Sequence, residues 1–124
     1  MKQPLKTGNA PAAIGPYSQG IAAGDTVYVS GQIPLDPATG KFPEGIAAQT
    51  EQAIRNISAI LAQAGMTLDN VVKTTVFLAD LGDFAAMNEV YGKLFHTPYP
   101  SRSAFEVARL PLNAPLEIEC IAVR

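Results

Sequence analysis

The chain has 124 residues, a formal net charge of −2, 48% hydrophobic residues and only 16% charged ones. That is enough for one domain with a real core, residues 1–124, and too few for two. No run of Lys or Arg offers the basic patch that displaces counterions from nucleic acid, and no apolar stretch approaches the roughly 20 residues of a membrane span. So little charge on so small a domain suits a surface partly covered by a copy of itself. The single cysteine, Cys120, excludes an intrachain disulfide and reads as a small buried apolar residue. With no signal peptide in view, it suits a reducing cytoplasm.

Residues 9–20 are rich in Pro and Gly and predict an ordered loop entering a first strand at 18–23. Gly24-Asp25 reads as a tight turn into a β-prone run at 26–30, so the two runs form a hairpin. Pro34 cannot donate to a ladder, so Gly31-Gln32-Ile33-Pro34 is expected to end the pairing. Asp36-Pro37-Ala38-Thr39-Gly40 is a turn signal. From Ile46 to Ala64 the period becomes helical, with Ala53, Ile54, Ile57, Ile60 and Leu61 spaced at three and four. Gly65 stands where a helix stops. The β-branched run at 71–78 predicts a strand.

A second helix begins after Asp80 or Asp83, either of which can cap it. It carries Phe84, Met87, Val90, Tyr91 and Leu94 on one side, and His96-Thr97-Pro98-Tyr99-Pro100 ends it. Two strands close the chain, at 102–108 and 115–123. The order β-β-α-β-α-β-β implies a mixed sheet with both helices on one face and the other face bare.

The last two strands hold the candidate chemistry. A strand has a side-chain period of two. Phe105 and Val107 are therefore expected on the core face, and Arg102, Ala104 and Glu106 on the other. Ile118 and Cys120 face one way, Glu117 and Glu119 the other. The expectation is an arginine and two carboxylates gathered on the bare face. A guanidinium fork holds a carboxylate by two parallel hydrogen bonds, and a nearby Glu can orient or deprotonate water. Each also has a plain alternative: a salt bridge for Arg102, and ion pairing with Arg109, Arg124 or Lys73 for the glutamates. Glu106 reads as structural. Gly31, after Ser30, allows close backbone approach or simply makes a turn. Tyr17 brings a phenol to a pocket edge or packs. Asn88 caps a pocket or faces water.

His96 is the only histidine, so nucleophilic Cys-His or Ser-His arrangements lack support. No cluster has metal-ligand spacing, and no phosphate-binding or dinucleotide loop is present. Neither metal nor organic cofactor is expected.

Taken together, N-A-P-A-A-I-G-P-Y-S-Q-G at 9–20, V-S-G-Q-I-P at 29–34, V-V-K-T-T-V-F-L at 71–78 and the tail from Arg102 to Arg124 resemble the Rid/YjgF family of reactive-intermediate deaminases. The resemblance runs nearly end to end. It implies a chorismate-mutase-like α+β fold and a homotrimer with sites in clefts between subunits. It also implies hydrolysis of 2-imino acids and their enamine tautomers to 2-oxo acids and ammonia, with 2-iminobutanoate and 2-iminopropanoate as typical substrates. By the same resemblance Arg102 binds the substrate carboxylate and Glu117 activates or holds water. Tyr17, Ser30, Gly31 and Asn88 line the site.

One departure is visible: Ala104 stands where many deaminase members have cysteine. Three other readings stand beside this one, the first of them without a basic patch, histidine pair or aromatic stacking platform in the sequence. These are an RNA-cleaving translation inhibitor, a non-catalytic binder of 2-oxo acids, and an aromatic-pathway deaminase acting on a substrate such as 2-aminomuconate.

Overall fold

The computed structural model describes residues 1–124. Six strands form one sheet: β1 (Lys2–Leu5), β2 (Gly20–Ala23), β3 (Thr26–Gln32), β4 (Val71–Leu78), β5 (Ser101–Glu106) and β6 (Leu116–Val123). Their order across the sheet is β1-β2-β3-β6-β4-β5. Only β4 and β5 run parallel; the other neighbours are antiparallel. Two helices, α1 (Ile46–Ala62) and α2 (Phe84–Leu94), cover one face. This is the expected α+β architecture with a mixed sheet.

The core lies between the helices and that face. Ile54, Ile57, Ile60 and Leu61 of α1 and Met87 of α2 meet Val27, Val76, Leu116 and Ile118 of the sheet, all essentially inaccessible. The α1 stripe is the one its spacing predicted. The helix ends through Gly65, whose φ of 69° is a left-handed conformation. Met66 N–H donates to the Leu61 carbonyl (3.1 Å) and Gly65 N–H to that of Ala62 (3.0 Å). This paired closure satisfies carbonyls the helix would otherwise leave open.

Two buried polar side chains pin the loops. Asn56 of α1 donates to the carbonyls of Ile33 (3.2 Å) and Leu35 (3.0 Å). Gln19 accepts from Thr7 N–H (2.8 Å) and donates to the Pro11 carbonyl (2.7 Å), which holds the N-terminal loop against β2.

Several expectations need correction. β1 was not foreseen: Lys-Gln-Pro-Leu has no alternation and contains a proline, and as an edge strand it pairs only with β2. Pairing of β3 does not end before Gly31. It continues to Gln32, opposite Ile118, across an irregularity between Val29 and Gln32. The second strand begins at Gly20 rather than 18, and the fifth ends at Glu106 rather than 108. Of the two candidate caps, the Asp80 carboxylate accepts from Gly82 N–H (2.8 Å) at a short 3₁₀ turn, while Asp83 makes no side-chain cap.

The main correction concerns β5. Arg102 lies opposite Thr74, a buried residue on the helix side, and Ala104 packs against the core. Phe105 lies on the uncovered face, 45% exposed, edge-on to Phe77 with ring centroids 5.5 Å apart. The two faces of this strand are therefore the reverse of those expected. The uncovered face carries Tyr28, Phe77 and Phe105, so apolar character marks both faces of the sheet and cannot identify the core side alone.

Candidate active site

Arg102 enters from β5 into a cradle built by one side of α2. Asn88 Oδ1 accepts from Arg102 Nη1 at 2.7 Å. The guanidinium carbon lies 4.8 Å from the Tyr91 ring centroid and 5.5 Å from that of Phe84. Positions 84, 88 and 91 are four and three residues apart, which places them on one helical face. A cation over an aromatic face gains about 0.5–2 kcal/mol, depending on desolvation. None of the chain's four ion pairs includes Arg102. The fork thus has one neutral acceptor, two rings and no carboxylate. Its other donors remain available to an incoming anion.

Glu117 occupies a different setting. It projects from β6 on the uncovered face, opposite Phe77 in the neighbouring strand. Its carboxyl presses against the backbone of Gly31: a Cβ built there would lie 2.7 Å from Glu117 Cδ. Gly31 sits within the irregular stretch of β3, so the missing side chain makes room for this carboxyl. Burial raises the Glu117 carboxyl above its ordinary range, and the negative charge of Glu119 adds to the effect.

Ser30 precedes Gly31 on β3 and joins that strand to the loop that carries Tyr17: Ser30 Oγ donates to the Ser18 carbonyl (2.6 Å). Tyr17 is 51% exposed, and its hydroxyl accepts a long bond from Ile14 N–H (3.4 Å). It lies on the rim of a cleft of about 590 Å³ between the N-terminal loop and the turn at 36–40. That cleft touches neither Arg102 nor Glu117.

Arg102 with Asn88 lies on the helix side of the sheet, and Glu117 with Gly31 on the other. Within one chain the structure does not bring these two halves together. Glu119 is exposed on the uncovered face, and Glu106 accepts from Leu81 N–H (2.9 Å), a structural role. Cys120 lies on the core side as expected, and burial pushes its thiol up to about 12, with Glu119 contributing. His96 is tied to Asp69 at the surface (3.1 Å). Phe84 and Tyr91, which the sequence reading assigned only to packing, border the Arg102 guanidinium. Their signal was available as aromatic, amide and aromatic groups on one helical face.

Residues 7–124 match the endoribonuclease L-PSP family. The chain belongs to the Rid/YjgF family. Among its Rid/YjgF relatives is the 2-iminobutanoate/2-iminopropanoate deaminase of Escherichia coli, 49% identical over 127 residues that cover 100% of this chain and 99% of that one. Reactive Intermediate Deaminase A, chloroplastic, of Arabidopsis thaliana is 52% identical over 122 residues, covering 98% of this chain and 65% of the plant protein. Among solved Rid/YjgF structures, E. coli TdcF with bound serine superposes with a TM-score of 0.94 at 45% identity, over 98% of both chains.

Proposed function

We propose that this chain hydrolyses 2-imino acids and their enamine tautomers to 2-oxo acids and ammonia, with 2-iminobutanoate and 2-iminopropanoate as substrates. The observation that carries this reading is Arg102: a half-buried cation over two aromatic rings, hydrogen-bonded to a neutral amide and paired with no acid. Such a group fits a small anionic guest. The name of the E. coli relative supplies the reaction, and the bound serine in TdcF supplies a guest of similar size that carries a carboxylate.

Because Arg102 and Glu117 face opposite sides of the sheet, the site is completed by two protomers. One contributes Arg102 and Asn88, the other Glu117, Gly31, Ser30 and Tyr17. A homotrimer in which each uncovered face packs against a neighbour forms these clefts, and the exposed Tyr28 and Phe105 suit such burial. The lone buried thiol suits a cytoplasmic setting.

Arg102 grips the imine's carboxylate through parallel N–H donors. Glu117 holds a water against the imine carbon. The oxygen attacks, the C=N electron pair moves to nitrogen, and the proton lost by water passes through Glu117 to that nitrogen. The carbinolamine hydroxyl then gives its proton, through Glu117, to the nitrogen, the C–N bond breaks with its electron pair going to nitrogen, and ammonia leaves as the C=O of the 2-oxo acid forms. Burial and Glu119 hold this carboxyl above its ordinary range, which makes it a better proton acceptor than a free carboxylate.

The test is a threonine dehydratase reaction coupled to this protein, with semicarbazide as competing trap. Wild type diverts imine from the trap, and Arg102→Ala does not. Undiminished acceleration in Arg102→Ala refutes the assignment.

A further inference from the structure

We infer that Tyr91 is a positioning residue for the carboxylate clamp, its ring face fixing the plane and charge of the Arg102 fork. This rests on the reading of Arg102 given above. The ring lies 4.8 Å beneath the guanidinium carbon, closer than Phe84, while Asn88 fixes one edge of the fork through Nη1. A flexible arginine at a strand edge would sample many rotamers. A ring below and an acceptor at one edge select a single plane, and binding then loses less entropy.

The ring itself cannot turn freely. Tyr91 is 5% exposed, packs against Phe95 (centroids 4.5 Å apart), and its hydroxyl shares a 2.7 Å hydrogen bond with Thr74 Oγ1 on β4. Thr74 is the direct neighbour of Arg102 across the parallel β4–β5 pair, so the strand paired with the one that carries the fork registers the ring beneath it. Burial holds the Tyr91 phenol above its usual range, despite the opposing pull of Thr74 and Arg102. The phenol therefore stays neutral and leaves the clamp its full positive charge.

Ring and hydroxyl thus have separable duties: the ring serves Arg102, and the hydroxyl serves the fold through Thr74. The experiment measures the Kd of 2-oxobutanoate by calorimetry, with thermal midpoints in parallel. Tyr91→Phe keeps the ring and loses the Thr74 bond, so its midpoint falls while Kd stays within about twofold of wild type. Tyr91→Leu removes the ring, so Kd rises about fivefold or more. A fluorinated phenylalanine at position 91 keeps the shape and weakens the negative ring face. It weakens binding relative to Tyr91→Phe, and it serves in place of Tyr91→Leu should that variant not fold. Ile57→Val, a core change remote from the clamp, controls for stability loss. Unchanged Kd in both the Leu and fluorinated variants overturns the inference, as does equal weakening in Tyr91→Phe or Ile57→Val. Arg102→Ala separates the two levels: if it binds 2-oxobutanoate like wild type, the clamp itself is wrong. If only Arg102→Ala weakens binding, the clamp stands and the role of Tyr91 falls.

Discussion

The two halves of the site are built by opposite strategies. On the helix side, Arg102 is surrounded by partners from its own chain: an amide at one edge, aromatic rings beneath, and a strand neighbour that locks one of those rings. On the uncovered side, Glu117 has a glycine backbone behind it and no cationic partner in the chain. The cation is prearranged and stabilised, whereas the carboxyl is partly desolvated and held above its ordinary range. A protein that must bind an anion and also move a proton has reason to treat the two groups differently.

Variants can break this comparison in graded ways. The largest effect is expected from Arg102→Ala, which removes a charge-assisted contact of about 2–5 kcal/mol. The trapping assay should show a loss of about thirtyfold or more in kcat/KM. Next is Gly31→Ala, whose Cβ displaces the Glu117 carboxyl from its seat. Its kcat should fall about tenfold, with a smaller change in the Kd of 2-oxobutanoate, since the clamp is untouched.

Asn88→Asp sharpens the account of the cradle. It places an anion beside Arg102 where a neutral amide now sits. Binding of 2-oxobutanoate should weaken about fivefold through self-neutralisation of the clamp. Tighter binding in that variant would contradict a role for Arg102 as an unpaired cation.

The smallest effect concerns stability. The folded chain holds the Glu117 proton more tightly than the unfolded chain does, because burial and Glu119 raise that carboxyl. Stability linked to this group is therefore complete at pH below the ordinary carboxylate value. It is lost as pH rises through that value to the raised one. Glu117→Gln removes the penalty. Its thermal midpoint should exceed wild type by about 2 °C at neutral pH, a gain kept small by solvent screening, and should match wild type in acid. The expected companion is loss of catalysis, the usual exchange of stability for function.

Much of the fold was legible because its signals are local. The α1 stripe, the Gly65 stop, the Gly24-Asp25 hairpin and the β4 run each follow from residues within a few positions of one another. β1 was not legible, because a four-residue edge strand containing a proline carries no period. The facing of β5 was misread for a different reason. Alternation identifies the core side only when the other side is wet, and here Phe105 and Phe77 make the second face apolar as well. That same feature favours burial of the face by a copy of the chain. Arg102 and Glu117 were singled out by residue type and family resemblance, but their placement on opposite sides of the sheet is long-range information. Gly31 was expected as a close approach to ligand, and its visible function is to make room for a side chain of its own protein.

The most direct test mixes two inactive variants, Arg102→Ala and Glu117→Gln. The variants are unfolded together, refolded as mixed assemblies and assayed for imine diversion from semicarbazide. Sites that take Arg102 from one protomer and Glu117 from its neighbour are restored in mixed trimers, to about one quarter of the wild-type number at equal ratio. Activity no higher than that of either variant refolded alone, in assemblies verified to be mixed, would contradict a site shared between protomers.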